Sequence, residues 1–185
     1  MMVYTIFEEA VDRLYELLDQ VAKALENAGI PYQVVGGMAV FLHVQRAESD
    51  AGRLTRDVDL LVRREDLDRI AAAVEPYGFP ARRGLDMLVD VSAPSARRAV
   101  HLVMSAGKIR PEYSEPAPVL AAAEKMRGAW IAPVADLVRM KLTSYRLKDR
   151  VHIQDMDEVG LITREMEASL SAVLKARLDE IRLSE

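Results

Sequence analysis

Two short stretches of the chain carry groups that could handle phosphate and a divalent cation. The first is Asp57-Val58-Asp59 in the run TRDVDLLV. Residues two apart on a strand face the same way, so Asp57 and Asp59 project side by side while Val58 and the apolar residues 60–62 enter the core. Two carboxylates this close repel each other, which a divalent cation between them relieves. The second is VVGGMAVFLHV, in which a short apolar strand turns through Gly36-Gly37 into a helix. Unhindered backbone N–H groups at a helix N-terminus suit a phosphate. Alone, a Gly-Gly before a helix is an ordinary tight turn, and an Asp-x-Asp at a strand start is an ordinary solvated edge. In this order, separated by a polar loop, they supply what metal-assisted phosphoryl or nucleotidyl transfer needs: a cradle for a triphosphate and acids for magnesium.

Other elements must place these residues. Apolar residues Phe7, Val11, Leu14, Leu18, Val21 and Leu25 recur at helical steps, which predicts a helix over 5–28. Thr5 and Glu8 form a capping box at its start, and Gly29 with Pro31 stop it. A strand over 32–35 and a helix over 38–44 flank the glycines. Strand 57–62 is followed by a helix over 64–75. Strands over 85–92 and 99–104 come next, with Pro94-Ser95 as the turn between them and a proline-bearing loop over 107–118. Helices are expected over 134–147, 150–158 and 163–182. The whole reads as one α/β (α+β) domain over 1–185, with a small mixed β-sheet core to about residue 130 and a C-terminal helical tail.

The pair VVGGMAVFLHV and TRDVDLLV resembles the nucleotidyltransferase superfamily of the DNA polymerase beta type, and in particular its minimal, abortive-infection toxin-like members. The resemblance implies that Gly36 and Gly37 hold nucleotide phosphates and that Asp57 and Asp59 bind magnesium or manganese. A looser likeness in DLVRMKLTSYRLKDRVHIQDM implies that Lys141, with Arg56, meets phosphate charge. Arg146, Lys148, Asp149, His152 and Asp155 share one polar helical face that could border the pocket or be solvated. Active members carry a third acid on a neighbouring strand. The strand that best matches by position is AVHLVM, whose slot holds His101. Histidine can ligate metals or act as a base, but magnesium prefers oxygen. Asp90, and after it Asp86, are the alternative acids, provided their strand borders Asp59. In the loop GKIRPEYSEP, Lys108 and Arg110 sit near Glu112 and Tyr113, and Tyr113 could stack on a base. His43 reads as a buried structural residue, and Trp130 as packing between core and tail.

The resemblance implies transfer of a nucleoside monophosphate from an NTP to a hydroxyl of an RNA end, a protein or a small molecule. The competing expectation is a degenerate nucleotide- or partner-binding module, such as a toxin–antitoxin component with an antitoxin partner. The hydrophobic fraction is 50% and the charged fraction 29%, as in ordinary globular chains. A net charge of -4 gives no global attraction to nucleic acid or to an anionic membrane. The absence of cysteine excludes disulfides, thiolate zinc sites and a cysteine nucleophile. No secretory leader pattern is seen at the start and no 18-residue apolar run, so a cytoplasmic protein without membrane partners is expected.

Overall fold

A computed structural model describes residues 2–53, 55, 57–80, 87–89 and 99–184; the side chains of 2–11, Met87, Val89 and Ala99 are outside the described set. Helix α1 (Met2–Asn27) leads through Gly29, at φ 61°, into strand β1 (Gln33–Val35). Helix α2 (Gly36–Ala47) follows at once, then β2 (Val58–Val62), α3 (Leu67–Val74), β3 (Met87–Val89) and β4 (Ala99–Met104). A long irregular stretch precedes the hairpin β5 (Glu124–Met126) and β6 (Ala129–Ile131). The tail holds α4 (Val134–Ser144), α5 (Leu147–Glu158), α6 (Arg164–Ser169) and α7 (Ala172–Leu183).

The six strands form one mixed sheet in the order β3-β4-β2-β1-β6-β5. β2 lies inside it, antiparallel to β1 and parallel to β4. Its apolar run explains that place: Val58, Leu60, Leu61 and Val62 are fully buried, as befits a strand covered on both faces. α1 packs on β2 and β6 and carries α3 beside it, and α2 packs on β1 and β2 and against α4 and α5. α7 lies on α4 and α5. The expected stripe of α1 is buried at Leu14, Leu18, Val21 and Leu25.

The structure corrects several expectations. α1 begins upstream of Thr5, so the Thr5–Glu8 box does not mark its start. The helix expected over 163–182 is broken at Leu170-Ser171 into α6 and α7, although Thr163 does cap α6 by accepting the Met166 N–H. The hairpin β5–β6 adds two strands that the sequence pattern does not signal. It closes through Arg127-Gly128, at φ 46° and 82°, both left-handed as a two-residue hairpin turn requires. Trp130 does not join core to tail: it sits on β6 with 39% of its surface exposed, beneath the Lys125 ammonium. His43 is fully buried, and its Nε2–H donates to the Ala132 carbonyl at 2.9 Å.

Candidate active site

The end of β1, the start of β2 and the start of α2 meet at one point, because β1 turns into α2 without an intervening loop. Val35 pairs with Asp59 across β1 and β2, and Asp59 pairs with His101 across β2 and β4. Gly36 therefore lies against the Asp59 side chain. It has φ 70°, and a Cβ there would fall inside the van der Waals envelope of Asp59 Oδ2. Only glycine satisfies both the backbone and the space. At Gly37 a Cβ would come within 2.8 Å of Thr55 Oγ1 and 3.3 Å of the His152 ring.

A cleft of about 640 Å³ opens above this junction. It is lined by Gly36, Gly37, Asp57 and Asp59, by His101 from β4, and by Lys141, Arg146, Lys148 and His152 from α4, α5 and the turn between them. Ile109, Arg110 and Tyr113 border it from the loop after β4, with the Arg110 guanidinium 6.0 Å from the Tyr113 ring centre. Lys108 and Glu112 do not line it.

Two charged groupings organise the cleft. On one side His101 Nδ1–H donates to Asp59 Oδ1 at 3.3 Å. That hydrogen bond raises the imidazole pKa against the effect of partial burial, with Asp59 and Asp57 adding favourable charge. On the other side Lys141, 5% exposed, donates to Asp149 Oδ1 at 3.1 Å. Asp149 is itself fully buried, and it also accepts from Ser144 Oγ at 2.8 Å and Arg146 Nε at 2.7 Å. Burial alone would raise its pKa, but the Arg146 and Ser144 hydrogen bonds and the Lys141 charge bring it down to about 2. Burial depresses the Lys141 pKa, with Asp149 and Asp59 opposing. His152 is held down to about 4, by burial first and by the Lys141 charge second. Its Nδ1 is buried without a hydrogen-bond partner, which suits a neutral ring.

Asp57 and Asp59 both border the cleft, as their spacing anticipates; Asp57 stands one residue before β2 rather than inside it. Lys141, Arg146, Lys148 and His152 converge there too, while Asp149 sits behind Lys141 and Asp155 turns away to Arg53 at 3.2 Å. Arg56, Asp86 and Asp90 lie outside the described residues. The strand that borders β2 on this side is β4, and β3 pairs with β4 instead. The neighbour of Asp59 is thus His101, as the positional match of AVHLVM suggested. Ser144 and the Asp149 hub escape a reading of the sequence alone; the Lys-x-x-Ser-x-Arg-x-x-Asp spacing across a helix–turn–helix would have been the signal.

Among the described residues no group of three His, Asp or Glu side chains is arranged to hold a metal ion unaided. Magnesium does not need one: it is commonly held by one or two carboxylates together with substrate phosphates. Two oxygen donors beside a glycine turn into a helix N-terminus fit that mode.

No protein-family model matches the chain, and no curated protein does. Among solved structures it is similar to the antibiotic-resistance factor ANT(2'')-Ia in complex with adenylyl-2''-tobramycin: 16% identity, 92% of this chain and 98% of that chain covered, TM-score 0.47. A solution structure of the same factor gives 14% identity, coverage of 92% and 83%, and a TM-score of 0.45. A structure from H. pylori described as a nucleotidyltransferase gives 14% identity, coverage of 96% of each chain and a TM-score of 0.43.

Proposed function

We propose that the chain is a nucleotidyltransferase, moving a nucleoside monophosphate from an NTP to a hydroxyl with release of pyrophosphate. The observation that carries this reading is the convergence on one cleft of the Gly36-Gly37 helix start, the Asp57 and Asp59 carboxylates and the Lys141 and Arg146 cations. Asp57 and Asp59 would hold magnesium or manganese, which supplies positive charge to the triphosphate. The N–H groups at the start of α2 donate to phosphate oxygens, and the helix dipole adds to their pull. Lys141 and Arg146 offset phosphate charge from the opposite wall, and Arg56 is assigned to the same task. His101 orients the Asp59 carboxylate through its hydrogen bond. Tyr113 offers a stacking surface at the mouth. In the reaction the acceptor oxygen bonds to the α-phosphorus, the bond from the α-phosphorus to the oxygen bridging to the β-phosphate breaks as pyrophosphate departs with that oxygen, and the acceptor proton passes to solvent water. The acceptor is a hydroxyl of an RNA end, a protein or a small molecule.

One observation favours a second reading, nucleotide or partner binding without turnover, as in a toxin–antitoxin component. The residue at the register position beside Asp59 is His101, not a carboxylate. Asp90, the third acid expected from the sequence, lies outside the described residues, and the strand beside Asp59 is β4 rather than β3. Calorimetric titration of magnesium with each NTP separates the cases. Binding that disappears in Asp57→Ala/Asp59→Ala supports the site, and no binding of any NTP to the wild-type protein would sink it. Pyrophosphate release with a supplied acceptor then distinguishes transfer from binding alone.

A further inference from the structure

The turn that joins α4 to α5 carries the cation side of the cleft, and it is held from behind. Tyr145 sits between Ser144 and Arg146 at φ 50°, a left-handed conformation that a bulky non-glycine residue adopts only under external constraint. The constraint comes from α7. Arg177 Nη1 donates to the Leu142 carbonyl at 2.6 Å and the Thr143 carbonyl at 2.9 Å, two of the acceptors left open at the end of α4. The same guanidinium lies 4.8 Å from the Tyr145 ring centre, and the Tyr145 hydroxyl donates to the Arg177 carbonyl at 3.2 Å. Arg150 from α5 lies 4.2 Å from the same ring. Tyr145 is thus tied at its ring and at its hydroxyl.

The cation wall depends on this turn. The Arg146 N–H and Nε both donate to Asp149 Oδ2, at 3.2 and 2.7 Å, and Ser144 Oγ donates to the same oxygen. The other oxygen takes Lys141. If Tyr145 relaxed to a right-handed conformation, Arg146 would leave this arrangement and Lys141 would lose the alignment of its counter-charge. We propose that Arg177 is a positioning residue for the cleft: through Tyr145 it fixes the turn that aims Lys141 and Arg146 at a bound polyphosphate. The tail is then part of the nucleotide site rather than an annex to it. The ligand in this proposal rests on the nucleotide reading above; the geometry does not.

The test titrates magnesium with each of the four NTPs into the wild-type protein, Arg177→Ala, Arg177→Lys and Arg177→Ala/Tyr145→Gly. Amide hydrogen exchange is measured on the same proteins without nucleotide. Arg177→Ala is expected to weaken NTP binding about tenfold, the scale of one misplaced charge-assisted hydrogen bond. Exchange should rise at Tyr145, Arg146 and Asp149 while β1, β2 and β4 stay protected. Arg177→Lys should keep part of the affinity, since lysine still reaches carbonyls but lacks the planar fork. Tyr145→Gly in the Arg177→Ala background should recover most of the loss, because glycine takes the left-handed turn without help. Unchanged affinity in Arg177→Ala, a failure of glycine to recover it, or exchange spreading into the sheet would overturn the proposal. If the wild-type protein binds no NTP, the nucleotide reading fails and exchange alone decides: a rise confined to the turn upholds the positioning role, and no rise or a global one refutes it.

Discussion

Gly36→Ala puts the central junction to the most direct test, and Gly29→Ala supplies its control. Both glycines have positive φ, 70° and 61°, so alanine incurs the same left-handed penalty at each, about 1–2 kcal/mol. Both substitutions also lower the entropy of the unfolded chain equally, which cancels in the comparison. The surroundings differ. Around Gly29 an added Cβ meets nothing within 4 Å, whereas at Gly36 it collides with the Asp59 carboxylate. Asp59 must then leave its rotamer, at about 1 kcal/mol, and give up its hydrogen bond from His101, at about another 1 kcal/mol. Gly36→Ala should therefore destabilise by about 3–4 kcal/mol and Gly29→Ala by about 1–2 kcal/mol, read from urea midpoints at constant m-value. In an Asp59→Ala background the clash reduces to a Cβ contact at 3.0 Å, so most of the excess should vanish. Equal costs for the two glycine variants, or an excess that persists without the Asp59 carboxylate, would refute the packing of Asp59 on Gly36.

The charged groupings and the exposed tryptophan give further expectations. Asp149→Ala leaves Lys141 buried without its partner and should cost about 3–5 kcal/mol, while Lys141→Met should cost less because Arg146 and Ser144 still satisfy Asp149; thermal and urea unfolding of the two variants check the order. His152, with a folded pKa of about 4, lies below the ordinary imidazole value, so the unfolded state takes up its proton first. Stability should then fall as pH drops from about 6.5 towards 4, and His152→Gln should flatten that limb of a urea-midpoint-versus-pH plot. His101 works in the opposite sense: its raised pKa gives stability that is present in acid and lost as pH rises through the folded value, so His101→Gln should remove a loss on the alkaline side. Trp130→Ala should cost about 1–3 kcal/mol, because only 39% of the residue's surface is exposed and the Lys125 ammonium lies over the ring, and an unchanged urea midpoint would show that the covered part of the ring contributes nothing.

How far the sequence could be read depended on whether each signal was local. Asp57 and Asp59 share a face because a strand has a period of two, and Gly36-Gly37 mark a turn because glycine tolerates what other residues do not; neither inference needs the rest of the chain. That Gly36 is glycine also to make room for Asp59 could not be read, because it depends on Val35 pairing with Asp59 across β1 and β2. The hairpin at Arg127-Gly128 escaped because its strands are three residues each and its first left-handed residue is an arginine, not asparagine or aspartate. Leu170 and Val173 continue a helical spacing across the break between α6 and α7, so periodicity joined two helices that the backbone separates. The condition placed on Asp90, that its strand border Asp59, turned on sheet order, and β4 takes that place. The Lys141–Asp149 pair shows the same limit from the other side. Its residues lie eight apart, on successive helices, and only a left-handed Tyr145 held by α7 brings them within 3.1 Å. A helical wheel relates residues only within one helix, and Lys141 and Asp149 lie on two; the turn makes them one buried pair, and with it the cation wall of the cleft.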